Sequence, residues 1–195
     1  MKFQLFRADW LYPPNCGLMD TPMGRVDFHD ILRRFALPAG WVGELKAYAE
    51  ENGLIFLCTP FDEDSISDLA SLSIPCFKIA SPELNHLPLL RAAAHCQKPM
   101  ICSTGLSTLS DVEEALHAIR SEWPSCAVVL LQCAAAYPLP PEQCNLNAIR
   151  TLREAFGVPV GLSDHTSDHE TVPAVAVAAG ASAIGMVIDW MQSGK

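Results

Sequence analysis

The stretch "CFKIASPELNHLPLLRAAAHCQKPMICS", Cys76 to Ser103, decides the fold. Its ends, "CFKIA" and "PMICS", are short apolar runs without in/out alternation, the pattern of parallel strands covered on both faces. Between them, "LNHLPLLRAAAHC" repeats apolar residues at three- and four-residue steps, as an amphipathic helix does. Strand, helix and strand within about thirty residues make one βα unit.

The same alternation extends in both directions. "LIFLC" (Leu54 to Cys58), "AVVLLQC" (Ala127 to Cys133), "VPVGLS" (Val158 to Ser163) and "ASAIGMVI" (Ala181 to Ile188) are further strand candidates, and "MKFQLF" is a strand at the start. "DEDSISDLASL", "STLSDVEEALHAIRS", "CNLNAIRTLREAFG" and "HETVPAVAVAAG" are the intervening helices. Thr108 or Ser110 caps the helix that carries Asp111, Glu113 and Glu114 in its first turn, and Gly157 with Pro159 ends the next helix at Phe156.

Sequential βα units close into a (β/α)8 barrel or stay open as a doubly wound sheet. Polar residues favour the barrel. Lys78 and Ser81, Ser103 and Thr104, and Ser163, Asp164 and His165 all stand at or just past C-terminal strand ends, which a barrel gathers round one mouth and an open sheet does not. The opening segment departs from this rhythm. Roughly fifty residues separate "MKFQLF" from the next strand; they are expected to be a long loop, apart from the helix "AGWVGELKAYAEENG" with Trp41, Leu45 and Tyr48 along one side.

Composition bounds the function. The chain has 195 residues, half of them hydrophobic, and a formal charge of -9. It is expected to be one globular domain, residues 1–195, and not a nucleic-acid binder, which needs clustered Lys and Arg. Eight cysteines without a C-x-x-C pair or signal peptide fit a reducing cytoplasm, with Cys58, Cys76, Cys102 and Cys133 as small buried hydrophobes. No clean apolar span of membrane length is visible.

Lys2 and Lys78 lie in the apolar contexts "KFQ" and "FKIAS". Alone, each reads equally well as a lysine with a buried stem and a snorkelling head. Two buried ammonium groups converging on one mouth repel, and an anionic ligand between them relieves the repulsion; a Schiff-base role for Lys78 is the alternative. Thr59, Ser81, Ser103, Thr104 and Gly105 add hydroxyls and backbone N–H groups suited to phosphate or carboxylate oxygens, or serve only turns and caps. Glu83 suits substrate hydroxyls or proton transfer, or is a solvated loop acid, and Tyr137 either faces the site or packs. In "GLSDHTSDHE", Ser167 and Asp168 read as a helix cap, which leaves His165 alone as a ligand candidate rather than paired with His169. His29, His86, His95 and His117 are expected on surfaces or satisfied edges, without partners.

The ordered set KFQ, TPFD, FKIAS, STG, YPxPPE and SDHT resembles the sialic acid synthase family, the N-acetylneuraminate and related nonulosonate synthases, over nearly the whole chain. The resemblance implies condensation of phosphoenolpyruvate with an N-acylated amino sugar, such as N-acetylmannosamine or its 6-phosphate, in a metal-dependent (β/α)8 barrel. It implies that Lys2, Thr59, Lys78, Ser81, Ser103 and Ser163 bind phosphoenolpyruvate, that Gln4 binds substrate, that Glu83 and Tyr137 face the sugar, that Glu83 and His165 take part in catalysis, and that His165 ligates a divalent metal (Mn or Mg).

Against the family pattern, the first strand would precede Met1, the sixth reads "LQCAAAY" with Gln132 and Ala135, Val187 stands where a second metal histidine belongs, and the antifreeze-like domain is absent. The expectation is an incomplete barrel of about seven strands, with weak metal affinity, impaired activity as an isolated chain, and association into a homo-oligomer through unpaired edges. A non-catalytic anion-binding remnant and a Lys78 aldolase stand as alternatives.

Overall fold

The structure, a computed structural model, describes residues 1–21 and 24–186. The first strand, β1 (Lys2–Leu5), is followed by α1 (Ala8–Leu11), an antiparallel hairpin of β2 (Leu18–Thr21) and β3 (Gly24–Asp27), α2 (Phe28–Phe35) and α3 (Trp41–Glu51). Then strand and helix alternate: β4 (Leu57–Pro60), α4 (Glu63–Ser71), β5 (Phe77–Ile79), α5 (Leu87–His95), β6 (Met100–Ser103), α6 (Leu109–Glu122), β7 (Val128–Cys133), α7 (Ala148–Phe156), β8 (Val160–Asp164), α8 (Thr171–Ala178) and β9 (Ile184–Met186).

Strands β5 to β9 form one parallel sheet in sequential order, and β1 pairs in parallel with β4. One face of each strand feeds the helical layer. Phe77, Ile79, Cys102, Leu130 and Val160 join Leu89, Leu90, Ile119 and Ile149 in a continuous buried cluster. Each such large side chain contributes about 1.5–3 kcal/mol relative to exposure. The alternate residues face inward, and those of both sheets line one cavity, so the assembly is curled rather than flat.

Local chemistry sets the helix ends. Thr108 and Asp111 form a reciprocal capping box at the start of α6, Asp62 accepts from Ser65 N at 2.7 Å at the start of α4, and Gly157 closes α7 at φ 63°, where a Cβ would be strained. Asp168 caps the turn before α8, accepting from Glu170 N and Thr171 N, and these bonds hold its carboxyl below the ordinary value.

Three expectations need correction. The opening segment is not a long loop apart from one helix, because β2, β3 and two further helices occupy it; β2 and β3 pair antiparallel with Thr21 opposite Gly24, and their sequences lack an alternating apolar face to announce them. In α3, Trp41, Leu45 and Tyr48 share one side as expected, and that side is the outer one: Trp41 and Tyr48 are 59% and 68% exposed, while Val42 and Ala49 are buried. The strand expected from Leu54 starts at Leu57, since its partner begins at Lys2; Leu54 and Ile55 remain exposed. His29 is 3% exposed with its Nε2 2.9 Å from Asp9, and His86 Nδ1 lies 3.4 Å from Glu83, so neither lacks a partner. Val187, and with it the end of the last expected strand, lies outside the described residues.

Candidate active site

Inward-facing positions at the strand ends meet in a cavity of about 230 Å³. Lys2 and Gln4 come from β1, Thr59 from β4, Lys78 from β5 with Ser81 just beyond it, Ser103 from β6, Cys133 from β7 and Ser163 from β8, with His165 and Tyr137 on the loops above. The pleat explains the selection. Lys2 and Gln4, two residues apart, share a face, and the register aligns Ser103 with Leu131 and Cys133 with Ser163 across adjacent strands.

Lys78 is the electrostatic centre. It is 5% exposed, and its ammonium donates to Ile79 O and Ser103 Oγ, both at 2.6 Å. Loss of water, and then the nearby positive charge of Lys2, lowers its pKa from 10.5 to about 8. Lys2 is not buried as expected. Its side chain is exposed, because β1 carries a partner only on its β4 side among the described residues, although partial desolvation at the cavity wall lowers its pKa too.

His165 has an assignable tautomer. Its Nδ1 is 2.8 Å from Ala134 O, which can only accept, so Nδ1 carries the proton and Nε2 accepts from the Tyr137 hydroxyl at 2.7 Å. The two rings stack with centroids 3.9 Å apart. The Tyr137 side chain is largely exposed, yet partial desolvation of its phenol at the cavity wall, and secondarily the cavity's thiol, pushes it up to about 12, so it stays a donor.

The STG loop contributes less than expected. Thr104 N and Oγ1 are both committed to Leu131 O, and Gly105 N donates to Ser81 Oγ at 3.1 Å, so these groups are spent on the protein. Gly105 is required by this close approach, since a Cβ there would stand 2.9 Å from Ser81 Oγ.

Glu83 turns instead toward a larger adjoining cavity of about 780 Å³, which shares Gln4, Phe61 and Pro82 with the first. Burial raises its pKa against the opposing pull of His86. Gln132 points away from both cavities, donating to Cys144 O, whereas Ala135 lines the smaller one.

Cys133 is the residue that sequence reasoning missed. Burial raises its pKa, but polar contacts with His165, Ser81 and Ser163 outweigh burial and leave it below the ordinary value. Its Sγ lies 3.8 and 3.9 Å from the two ring nitrogens of His165. Both nitrogens also have closer partners, so these are the longer of the contacts that the ring makes. Its position as the last residue of an apolar run, like Ser103, was the available signal.

Among the described residues, no three His, Cys, Asp or Glu side chains converge as a metal-binding group. Asp164, next to His165, is turned aside with its Oδ1 on Thr166 N. His165 Nε2 is one donor, and the described residues by themselves do not fit a complete metal shell.

A model of the NeuB family matches residues 1–187. The spore coat polysaccharide biosynthesis protein SpsE of Bacillus subtilis (strain 168) is 42% identical over 186 residues, 94% of this chain and 50% of that protein. The N,N'-diacetyllegionaminic acid synthase of Campylobacter jejuni subsp. jejuni serotype O:2 is 39% identical over 138 residues, 70% of this chain and 41% of that protein. The crystal structure of N-acetylneuraminic acid (sialic acid) synthetase from Leptospira borgpetersenii serovar Hardjo-bovis, in complex with citrate, superposes with a TM-score of 0.83 at 28% identity, covering 95% of this chain and 60% of that one. The chain spans about half the length of the curated relatives it matches. No described helix is long and apolar enough to cross a membrane.

Proposed function

Because the chain belongs to the NeuB family, we propose that it condenses phosphoenolpyruvate with an N-acylated amino sugar to a nonulosonic acid, releasing phosphate, as one part of a (β/α)8 barrel in the cytoplasm. The observation that carries this reading is the meeting of Lys2, Lys78, Thr59, Ser81, Ser103 and Ser163, from five strands, on one small cavity that opens beside a larger one.

Two ammonium groups and a ring of hydroxyls suit the phosphate and carboxylate of phosphoenolpyruvate, which would relieve the repulsion between Lys2 and Lys78. The acceptor would occupy the larger cavity, with Gln4 and Glu83 toward its hydroxyls and Tyr137 at the junction. Carbon 3 of the enolpyruvate attacks the sugar aldehyde, water adds at carbon 2, and the tetrahedral product loses phosphate by C–O cleavage to leave the keto acid. Lys78, already donating to Ser103, holds the anion rather than forming an imine.

A divalent cation (Mn or Mg), when bound, would supply Lewis-acid polarisation of the aldehyde; the one nitrogen the described residues would offer it is His165 Nε2, which would first have to give up the Tyr137 hydroxyl. With Val187 at the second expected position, this reading carries weak metal affinity and slow turnover for the chain alone. A homo-oligomer joined at exposed strand edges belongs to the same reading; a monodisperse monomer by light scattering would refute that part.

The depressed pKa of Lys78 is the one observation favouring an aldolase instead. Borohydride reduction with a keto substrate separates the two, since only an imine yields a covalent adduct. The main test is calorimetric titration with phosphoenolpyruvate followed by acceptor-dependent phosphate release. Saturable binding, with slow release that requires N-acetylmannosamine, is expected; absence of binding would sink the reading, and rapid metal-dependent release would overturn the slow turnover.

A further inference from the structure

The larger cavity has one basic side chain. Four carboxylates, from Asp62, Glu63, Asp64 and Glu83, line it, and His86 alone among its described lining residues can carry a positive charge. Arg7, close by, is committed elsewhere: its guanidinium lies 2.6 Å from Asp62 Oδ1 and 3.0 Å from Asp68 Oδ2. Glu63 and Asp64 are exposed to water, whereas the Glu83 side chain is only 15% exposed, and the one ion pair it makes among the described residues is with His86, whose Nδ1 is 3.4 Å from its Oε2. The chain path produces this meeting. A short turn, Ser81–Glu83, leaves β5 and sends Ser81 to the smaller cavity and Glu83 to the larger. Leu84, 1% exposed, anchors the next step in the core, and His86 N donates to Glu83 O at 3.1 Å, which returns the ring to the carboxylate. His86 precedes α5 but makes no side-chain cap to it, so the helix does not draw off its ring nitrogens.

Resting on the condensation proposed above, which sets Glu83 toward the sugar, we infer that His86 is a positioning residue for that reaction: its ring holds the Glu83 carboxylate facing the sugar and ready to receive its hydroxyl hydrogen bonds. An ionised carboxylate accepts at both oxygens, whereas a protonated one turns one oxygen into a donor. Burial pushes Glu83 toward the protonated form, and His86 pulls the other way, by hydrogen bond and by charge. The other titratable groups on the cavity wall offer no such pull: Asp62, Glu63 and Asp64 come from the start of α4 and Tyr12 from just past α1. Lys2 and Lys78 line the smaller cavity, where the anion uses their charge. Removing His86 therefore leaves burial unopposed, and Glu83 takes up its proton at higher pH.

Carbon-13 NMR of carboxyl-labelled glutamate tests this on Glu83 itself, its signal assigned by loss in Glu83→Gln. The Glu83 titration is expected to move to higher pH in His86→Ala and part of the way back in His86→Gln, which restores a donor without the charge. Ligand-observed NMR with phosphoenolpyruvate held saturating reads the consequence. N-acetylmannosamine is expected to bind His86→Ala at least about threefold more weakly than the unmodified chain at about pH 5.5, with the gap narrowing at about pH 7.5. In the Glu83→Gln background His86→Ala should have no further effect, and phosphoenolpyruvate affinity and the thermal midpoint should stay unchanged throughout, which a merely structural role would not give. An unmoved Glu83 titration in His86→Ala, or a loss of sugar affinity that persists in full with Glu83→Gln, would overturn the inference and leave the condensation reading intact. Failure of the unmodified chain to bind phosphoenolpyruvate or the sugar would bring down the condensation reading, and the Glu83 titration would then still decide whether His86 holds the carboxylate.

Discussion

The β5 to β9 sheet and the segment from β1 to α2 contribute to the same site but are held by different means. In the sheet, β6, β7 and β8 are each paired on both sides, and Met100, Cys102, Leu130 and Val160 have no exposed surface at all. In the opening segment, β1 pairs only with β4 among the described residues, and the hairpin pairs only with itself, with no described hairpin side chain buried. Among its described residues that segment buries only Leu5, Phe6, Ala8 and His29, and polar contacts supply much of the rest: Arg7 on Asp62 and Asp68, His29 on Asp9, and the amino terminus on Ile55 O. Such partly exposed ion pairs stabilise far less than packed apolar strands. The fixed cation of the site, Lys78, stands on the rigid region, and the exposed cation, Lys2, on the looser one.

Hydrogen exchange gives the widest expected contrast. Amides of β6, β7 and β8 should exchange at least about a thousandfold more slowly than those of the hairpin, since protection there approaches the global unfolding free energy; comparable rates would erase the distinction between the regions. Next comes Lys78→Met, expected to weaken phosphoenolpyruvate binding at least about a hundredfold, as loss of one buried, hydrogen-bonded charge does. Its thermal midpoint should not fall, because a desolvated ammonium is removed, and a fall would mean that Lys78 is structural.

Gly161→Ala probes the sheet alone. A Cβ at this position would run into Ala183 O and stand 2.8 Å from Leu131 Cδ2, so backbone must shift. A loss of about 2–3 kcal/mol in urea unfolding is expected, and a neutral result would show that β8 and β9 can part at little cost.

The smallest effect is the pH dependence. The pKa of Lys78 in the folded chain is about 8, below its ordinary 10.5, so the folded state releases this proton first. Its burial penalty is full below pH 8 and is relieved as pH climbs from 8 toward 10.5; over that window this lysine makes stability rise. Anion affinity runs the other way, falling up to about tenfold per pH unit above 8, since only the charged lysine attracts the ligand. Affinity that is flat from pH 7.5 to 9.5 would remove Lys78 from the anion site.

Legibility followed the same divide. Repeated apolar runs with amphipathic helices between them announce β5 to β8 to within a residue or two, because a strand covered on both faces must be apolar along its length. The hairpin shows no such pattern, because none of its described side chains is fully buried and its residues carry no alternation to read. Strand-end polarity located Lys78, Ser81, Ser103 and Ser163 correctly around one cavity, yet Cys133 passed as core filling, since an apolar run does not disclose which of its residues face inward.

From the sequence alone came the βα rhythm, the helix caps at Thr108 and Gly157, and the polar residues at the strand ends, all of which depend on neighbours within a few positions along the chain. Only the tertiary structure decided that Lys2 is exposed while Lys78 is buried, that the N–H groups of Thr104 and Gly105 are already used, and that Glu83 faces a second, acidic cavity. Burial and donor use are set by how strands from distant parts of the chain are registered and curled against one another, and no local pattern of residues encodes that geometry.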